Sequence, residues 1–334
     1  MPTEHSTFQA LQMPRRLRAA AACLVLVLLA GCGAGLIYPR LDSIVAFYFQ
    51  DLVSLDDAQS EQLSRTLSAN LDWHRQSELR KYADSLRDLA GSLEQGVDGS
   101  EWLRASRQTE QYWRDIFAQA APGYIAVART LTDEQVAELM RNLERKDEDT
   151  WREFSRRTPQ ERQARREKSV TRAIQRFTGP LTKQQHALVR DYASNARSFM
   201  PEWRENRRIW RDALAAALAD RSAGARFDQR MTQLIARPDD LWTPQYRVAI
   251  DGSRAALVDM LGNLDATLDD KQRGRARREL MALADEIQGL AGGRGRHTER
   301  TAWRNTTARS SASVSTRQGP RRCSRRSGSS AITR

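Results

Sequence analysis

The sequence has little cysteine, with three residues in 334. Cys23 and Cys32 lie near the start of the chain, and Cys323 lies near its end. No cysteine lies between Cys32 and Cys323, so no disulfide can hold that long stretch together. Its core has to be large enough to be stable without one, even in an oxidising compartment.

Glycine and proline are also sparse between Leu41 and Leu290, and no run alternates β-branched with polar residues. Apolar residues instead recur three or four positions apart, as in Val136, Leu139, Met140 and Leu143. This spacing places them on one side of a helix. It predicts an all-α fold in which long amphipathic helices pack as one elongated bundle.

Short turn-forming segments should separate these helices without dividing the bundle into domains. They lie at 95–100, 121–123, 157–160, 178–180, 220–225 and 237–244, and a hinge is predicted near 178–181. The first long stretch, 56–94, has no such break, and as a helix it would be about 60 Å long. Pro201 lies inside an otherwise helical pattern, so we expect it to kink or restart a helix.

The body of the chain has no excess of positive charge, although the formal net charge is +12. Eleven arginines and one acidic residue lie in 291–334, and three arginines and one acidic residue lie in 1–31, which leaves 32–290 neutral. Residues 291–334 have no apolar periodicity and are predicted to form a disordered Arg/Ser-rich tail. An alternative origin for this segment is a frame shift in a GC-rich gene, which would produce a similar Arg/Ser/Gly-rich sequence. Nucleic-acid-binding segments often interleave aromatic and basic residues, and Trp303 is the one aromatic residue of this segment. We therefore predict no nucleic-acid partner.

The opening of the chain is organised like an export signal, with a basic segment at 15–18, an apolar run at 19–29 and small residues after it. The apolar run is too short to span a bilayer, which takes about 20 residues. Met13 offers an alternative start that would give the signal a more usual length. An ordinary secretory signal with a chance cysteine is the alternative interpretation.

The end of this segment resembles a bacterial lipobox, formed by Leu29, Ala30, Gly31 and Cys32. The resemblance implies that the thiol of Cys32 is acylated with diacylglycerol and that the signal, residues 1–31, is removed. Residues 32–290 would then be a helical body anchored in the cell envelope and facing the periplasm. Gly33 follows the cysteine in place of aspartate, which in such lipoproteins implies the outer membrane.

Four segments of the body share the phrase L-[TD]-x-x-Q, and each opens a helical stretch. Their defining residues are Leu55, Asp56 and Gln59; Leu131, Thr132 and Gln135; Leu181, Thr182 and Gln185; and Leu268, Asp269 and Gln272. One interpretation is a capping box, in which Thr or Asp and the Gln three residues later satisfy free backbone donors. The other is kinship, since LTDEQ and LTKQQ resemble the LTxxQ motif of periplasmic Spy-type stress proteins. Those are small helical chaperones and sensors whose helices form a cradle for unfolded polypeptide.

A broader resemblance is carried by YPRLDSIVAFYFQDLVSLDDAQ and LDWHRQSELRKYA. Both segments are similar to a family of uncharacterised lipoproteins of Gram-negative bacteria, over roughly 32–290. The resemblance implies a helical envelope lipoprotein and supplies no activity.

Residues with catalytic or metal-binding potential are few. His74 and Glu78, four residues apart, could form half of a metal site with His186, but no spacing links the two histidines. No G-x-S-x-G or phosphate-binding loop occurs. We therefore predict no enzyme activity, no metal, no cofactor and no nucleotide.

Tryptophan is frequent in the body, at positions 73, 102, 113, 151, 203, 210 and 242. Most of these residues should be core, and arginines beside several of them suit either cation–π packing or a binding surface. The first functional hypothesis is a lipid-anchored binding module that holds polypeptide or another envelope component in a helical cradle. The alternative is an assembly lipoprotein that bridges to an envelope protein complex.

Overall fold

The structure, a computed structural model, describes residues 38–292. The predicted signal, the lipobox residues and residues 293–334 lie outside this range. Every regular element between 38 and 292 is helical, which confirms the predicted all-α fold. The α-helices are α1 Leu41–Gln50, α2 Asp57–Trp73, α3 Leu79–Ser92, α4 Gly99–Arg129, α5 Asp133–Ser155, α6 Pro159–Thr178, α7 Lys183–Asn195, α8 Met200–Ala219, α9 Ala225–Ala236, α10 Pro244–Asp265 and α11 Asp270–Ala291.

Most of the predicted breaks coincide with ends of these helices. The segments around 95–100, 157–160, 178–180, 220–225 and 237–244 all separate one helix from the next. Pro201 occupies the first turn of α8, where a missing N–H costs nothing, so this proline restarts a helix as expected. Gly179 ends α6 with a positive φ of 81°, a conformation that glycine adopts without strain.

The predicted break at 121–123 is wrong, because α4 runs through it without interruption. Pro122 lies inside the helix, and an interior proline there gives up a backbone hydrogen bond. The helix around it is held by burial of Ala120, Ala121 and Ile125. At Gly123, α4 approaches α2 so closely that a Cβ atom would collide with the Thr66 side chain. Tertiary packing therefore overrides a dipeptide that usually marks a turn.

The first long stretch is helical from Asp57 to Ser92, but it is not a uniform α-helix. A π-helical segment, His74–Glu78, joins α2 to α3. Such segments widen the helix by one residue per turn and occur often at functional sites. The sequence pattern did not reveal it, because the flanking residues Leu71 and Leu79 are eight positions apart, a spacing that also occurs on one face of a regular α-helix.

The core consists of several apolar clusters between neighbouring helices. The largest pairing is α3 with α11, where Tyr82 and Ala83 pack against Leu283, Ala284 and Ile287. A second cluster joins α4, α5, α8 and α9 around buried side chains that include Leu143, Leu218 and Phe227. In the described part of the chain, no helix is both long enough and apolar enough to cross a bilayer.

Candidate functional site

Each of the four L-[TD]-x-x-Q phrases begins a helix and forms a capping box. Asp56, Thr132, Thr182 and Asp269 are the N-cap residues of α2, α5, α7 and α11. Each N-cap side chain accepts a hydrogen bond from the backbone N–H of its glutamine, and the glutamine Oε1 accepts one from the N-cap N–H. The motif thus satisfies two backbone donors that a helix start leaves free.

The four phrases are also joined in two pairs through their glutamines. Gln59 Nε2 donates to Gln135 Oε1 over 3.0 Å, and Gln135 Nε2 donates to Gln59 Oε1 over 2.7 Å. The second hydrogen of each amide goes to a backbone carbonyl beside the partner phrase. Gln59 donates to the carbonyl of Thr130 and Gln135 to that of Ser54. The start of α2 is therefore bonded to the start of α5.

The second pair repeats this arrangement between α7 and α11. Gln185 Nε2 donates to Gln272 Oε1 over 2.8 Å, and Gln272 Nε2 donates back over 3.0 Å. Gln185 also donates to the carbonyl of Thr267, and Gln272 to that of Pro180. In both pairs the carbonyl precedes the leucine of the partner phrase. The same network of bonds therefore occurs twice in one chain.

Helix capping alone does not require this pairing. Thr158 and Glu161 form a capping box at the start of α6, with a glutamate in the third position and no second phrase bonded to it in the described structure. A glutamate has no hydrogen to donate, whereas an amide provides two donors and two acceptor lone pairs. In the paired phrases both donors are used, and Gln59, Gln185 and Gln272 are buried while Gln135 is half-buried. Glutamine at all four positions is the sequence signal from which the pairing could have been inferred.

A second cluster of buried polar groups lies at the π-helical segment. The Tyr38 hydroxyl is hydrogen-bonded to His74 Nδ1 over 2.8 Å, and Tyr82 packs against the imidazole on another side. Glu78 is 1% exposed and forms an ion pair with Lys81 through Oε1. Burial, together with the nearby charge of Arg75, lowers the pKa of His74 to about 4. Burial also raises the pKa of the Tyr82 phenol far above its usual value.

These contacts account for the residues considered as a metal site. His74 is bonded to Tyr38, Glu78 is bonded to Lys81 through Oε1 while its Oε2 is buried without a hydrogen-bond partner among the described residues, and His186 belongs to α7. Within 38–292, no three His, Cys, Asp or Glu side chains converge in a way that could hold a metal ion. The arrangement of His74 and Glu78 is that of a buried polar cluster in the packing between α2, α3 and their neighbours.

The tryptophans lie mainly within the helical packing. Trp203 is buried, and the other six positions are half-buried. Several arginines beside aromatic rings form cation–π contacts, including Arg204 over Trp151 at 5.0 Å and Arg207 over Trp210 at 4.5 Å. Arg204 therefore contributes to packing through a tryptophan of another helix, and Arg207 through one a single turn away.

Exposed large hydrophobic side chains are few in the part of the chain that is described. They are Ile44 and Phe47 on α1, Val248 on α10 and Met281 on α11. Two surface depressions are wide open to solvent: Arg129 and Arg221 line one, and Arg104 and Arg107 line the other. The described helices thus present one concentrated apolar feature, the pair on α1.

Comparison with known proteins places this architecture in a family. No curated protein and no solved structure matches the chain significantly. The model of a family of unknown function, DUF6279, matches residues 51–247. The match includes the first three L-[TD]-x-x-Q phrases and ends before the fourth. Since it covers more than half of the sequence, the chain belongs to this helical family of unknown function.

Proposed function

We propose that this chain is a lipid-anchored lipoprotein of the bacterial cell envelope whose helical body is a non-catalytic binding module. In this proposal the lipid anchor is in the outer membrane and the body faces the periplasm. There the body holds unfolded polypeptide or another envelope component. The observation that carries the proposal is the double pairing of the L-[TD]-x-x-Q glutamines. Capping explains one glutamine at a time, so the pairing supports kinship over capping as the origin of the four phrases. The cradle is what the resemblance to LTxxQ stress proteins implies.

The anchor rests on the sequence of residues 29–32 behind the basic segment at 15–18. Growth of cells with a palmitate analogue should label the wild-type protein, and the Cys32→Ser variant should carry no label. Cys323→Ser is the matched control, because it removes a thiol outside the lipobox and should leave labelling unchanged. Equal labelling of wild type and Cys32→Ser would disprove the anchor.

Binding of unfolded polypeptide is tested with the purified chain beginning at Gly33. Dispersed apolar contacts would hold a loosely folded client, and arginines on the surface would attract its acidic segments. The protein should slow the aggregation of an unfolded model protein at near-stoichiometric ratios, without nucleotide. Val248→Ser should weaken this effect, while Gln245→Ser, one turn away on the exposed side of α10, should not. No suppression at several-fold excess and no crosslinking to the unfolded chain would reject the cradle.

The second candidate is an assembly lipoprotein that bridges to an envelope protein complex. The scarcity of exposed large apolar side chains in the described helices favours it, because a cradle needs uncovered apolar surface. In-cell crosslinking followed by purification separates the two functions. One defined partner in stoichiometric yield indicates assembly, whereas many unrelated unfolded proteins indicate a cradle.

A further inference from the structure

The first helix of the body, α1, carries the most concentrated exposed apolar surface in the described structure. Phe47 is 73% exposed and Ile44 is 49% exposed. The two residues are three positions apart, so they lie side by side on one face of the helix. The other exposed residues of this face are Arg40, Ser43 and Gln50. We call these five residues the α1 face.

The opposite side of α1 is fixed to the rest of the body. Phe49 stacks on Tyr124 of α4 at 5.3 Å, and Val45 joins the apolar cluster around Leu63. Lys146 of α5 forms an ion pair with Asp51 and lies over the Tyr48 ring. These contacts hold the helix in one orientation, so the α1 face is presented to the outside by a rigid support.

The position of α1 in the chain indicates what this face contacts. Leu41, the first residue of α1, is nine residues from Cys32, so the two are at most about 30 Å apart along the chain. If Cys32 carries lipid, this short segment keeps α1 at the membrane surface. The local concentration of lipid there is high, and weak contacts become effective.

The chemistry of the α1 face suits the interfacial region of a phospholipid bilayer. Phenylalanine and isoleucine side chains enter the boundary between head groups and acyl chains. Arg40 is at one end of the face, and arginine is favoured beside lipid phosphates. The one acidic residue within α1, Asp42, is half-buried, and the charge of the exposed Asp51 at its C-cap is paired with Lys146. We propose that the α1 face docks on the phospholipid bilayer and, together with acylated Cys32, fixes the orientation of the body relative to the membrane.

This inference rests on the proposed lipid anchor, and a photocrosslinking experiment separates the two. Benzoylphenylalanine is placed at position 47 in the full chain in cells, and at position 248 as control. Val248 is a similarly exposed apolar residue, on α10. A parallel arm uses the chain from Cys32 with Cys323→Ser, its Cys32 thiol coupled to a maleimide phospholipid. The vesicles contain phosphatidylethanolamine and phosphatidylglycerol.

In both arms we expect lipid adducts at position 47 in several-fold excess over position 248. Lipid adducts in vesicles together with an unacylated protein in cells would reject the anchor and retain the face. An acylated protein without lipid adducts at position 47 would reject the face and retain the anchor. Crosslinks from position 47 to a second copy, to another protein, or to residues 33–37 or 293–334 of the same chain would assign the face to that occupant and overturn the proposal. Unchanged thermal unfolding of each labelled chain verifies its fold.

Discussion

Gln185 has no exposed surface, and its amide is hydrogen-bonded on every side. Its oxygen accepts from the Thr182 N–H and from Gln272, while its nitrogen donates to Gln272 and to the carbonyl of Thr267. A polar group is buried at little cost only when its hydrogen-bonding capacity is used, since each unpaired donor or acceptor costs about 1–3 kcal/mol. An amide meets this requirement here, and a carboxylate of the same shape does not.

We expect Gln185→Glu to lower the free energy of unfolding by about 3 kcal/mol. The substitution removes two donated hydrogen bonds and places a carboxylate against Gln272 Oε1 and the Thr267 carbonyl. Glu161→Gln, the reverse exchange in the unpaired capping box of α6, should leave stability nearly unchanged. Urea denaturation of both variants measures the difference, and equal effects would show that the pairing adds nothing to capping.

His74 provides a pH-dependent contribution to stability. Its pKa is lowered to about 4 in the folded chain by burial and by Arg75, against about 6.5 when exposed. Between these values the unfolded chain binds a proton at this site that the folded chain does not bind. Stability therefore falls as the pH decreases from 6.5 to 4, by at most about 3 kcal/mol.

His74→Gln keeps an acceptor for the Tyr38 hydroxyl and removes the titration, so the difference between wild type and variant isolates the effect of His74. Carboxylates titrate in both proteins and cancel in this comparison. Chemical denaturation at a series of pH values should show a shallower decline for His74→Gln than for wild type. Parallel curves would mean that His74 is protonated equally in both states.

At the scale of the helices, the close approach of α4 to α2 is a specific constraint. Gly123 has no side chain, and a Cβ there would meet Thr66 well inside contact distance. Gly91 in α3 has open space around it. An alanine side chain would therefore clash at position 123 of α4 and would be free of contacts at position 91 of α3.

Gly123→Ala should destabilise the protein by about 1–3 kcal/mol, because the clash outweighs the better helix propensity of alanine. Gly91→Ala should stabilise it by up to about 1 kcal/mol for that same propensity. Thermal unfolding gives the sign of each change. Thr66→Ala should recover part of the loss in the Gly123→Ala background, and a stabilising Gly123→Ala would contradict the close approach.

Helix boundaries were largely predictable from the sequence because they depend on local chemistry. Thr158 and Thr182 are N-caps, and Gly179 permits the positive φ that ends α6. Pro122 and Gly123 were misjudged because the packing of α4 against α2 involves residues far apart in the chain. The motif located the four glutamines in the sequence. It did not predict which of them form pairs, because the sequence does not indicate which helix N-termini lie side by side.

At the scale of the whole molecule, one buried ion pair joins distant parts of the chain. Asp265, 4% exposed, pairs with Arg273 and accepts a hydrogen bond from the backbone N–H of Val97. Arg273 also donates to the carbonyl of Leu93. The connection between α3 and α4 is thereby attached to the junction of α10 and α11.

Asp265→Ala should cost about 3–5 kcal/mol, because it leaves the Arg273 charge and the Val97 N–H without their carboxylate. Asp251→Ala on the same helix removes a far more exposed partner of Arg254 and should change stability by less than about 1 kcal/mol. Guanidinium denaturation compares the two. Similar losses of stability in the two variants would indicate that Asp265 does not hold the α3–α4 connection to the junction of α10 and α11.

The two glutamine pairs also bear on the order in which the chain folds. They join residues 76 and 87 positions apart, and each pair closes a loop that contains no residue of the other. Loop closure of this length costs conformational entropy, but the two closures draw on separate segments. In a chain that emerges N-terminus first, the first loop can close as soon as Gln135 has emerged, before Gln185 and Gln272 have done so. The packing of α3 on α11 and the bond from Val97 to Asp265 then join the two loops, so closure of the second loop completes a core that the first begins.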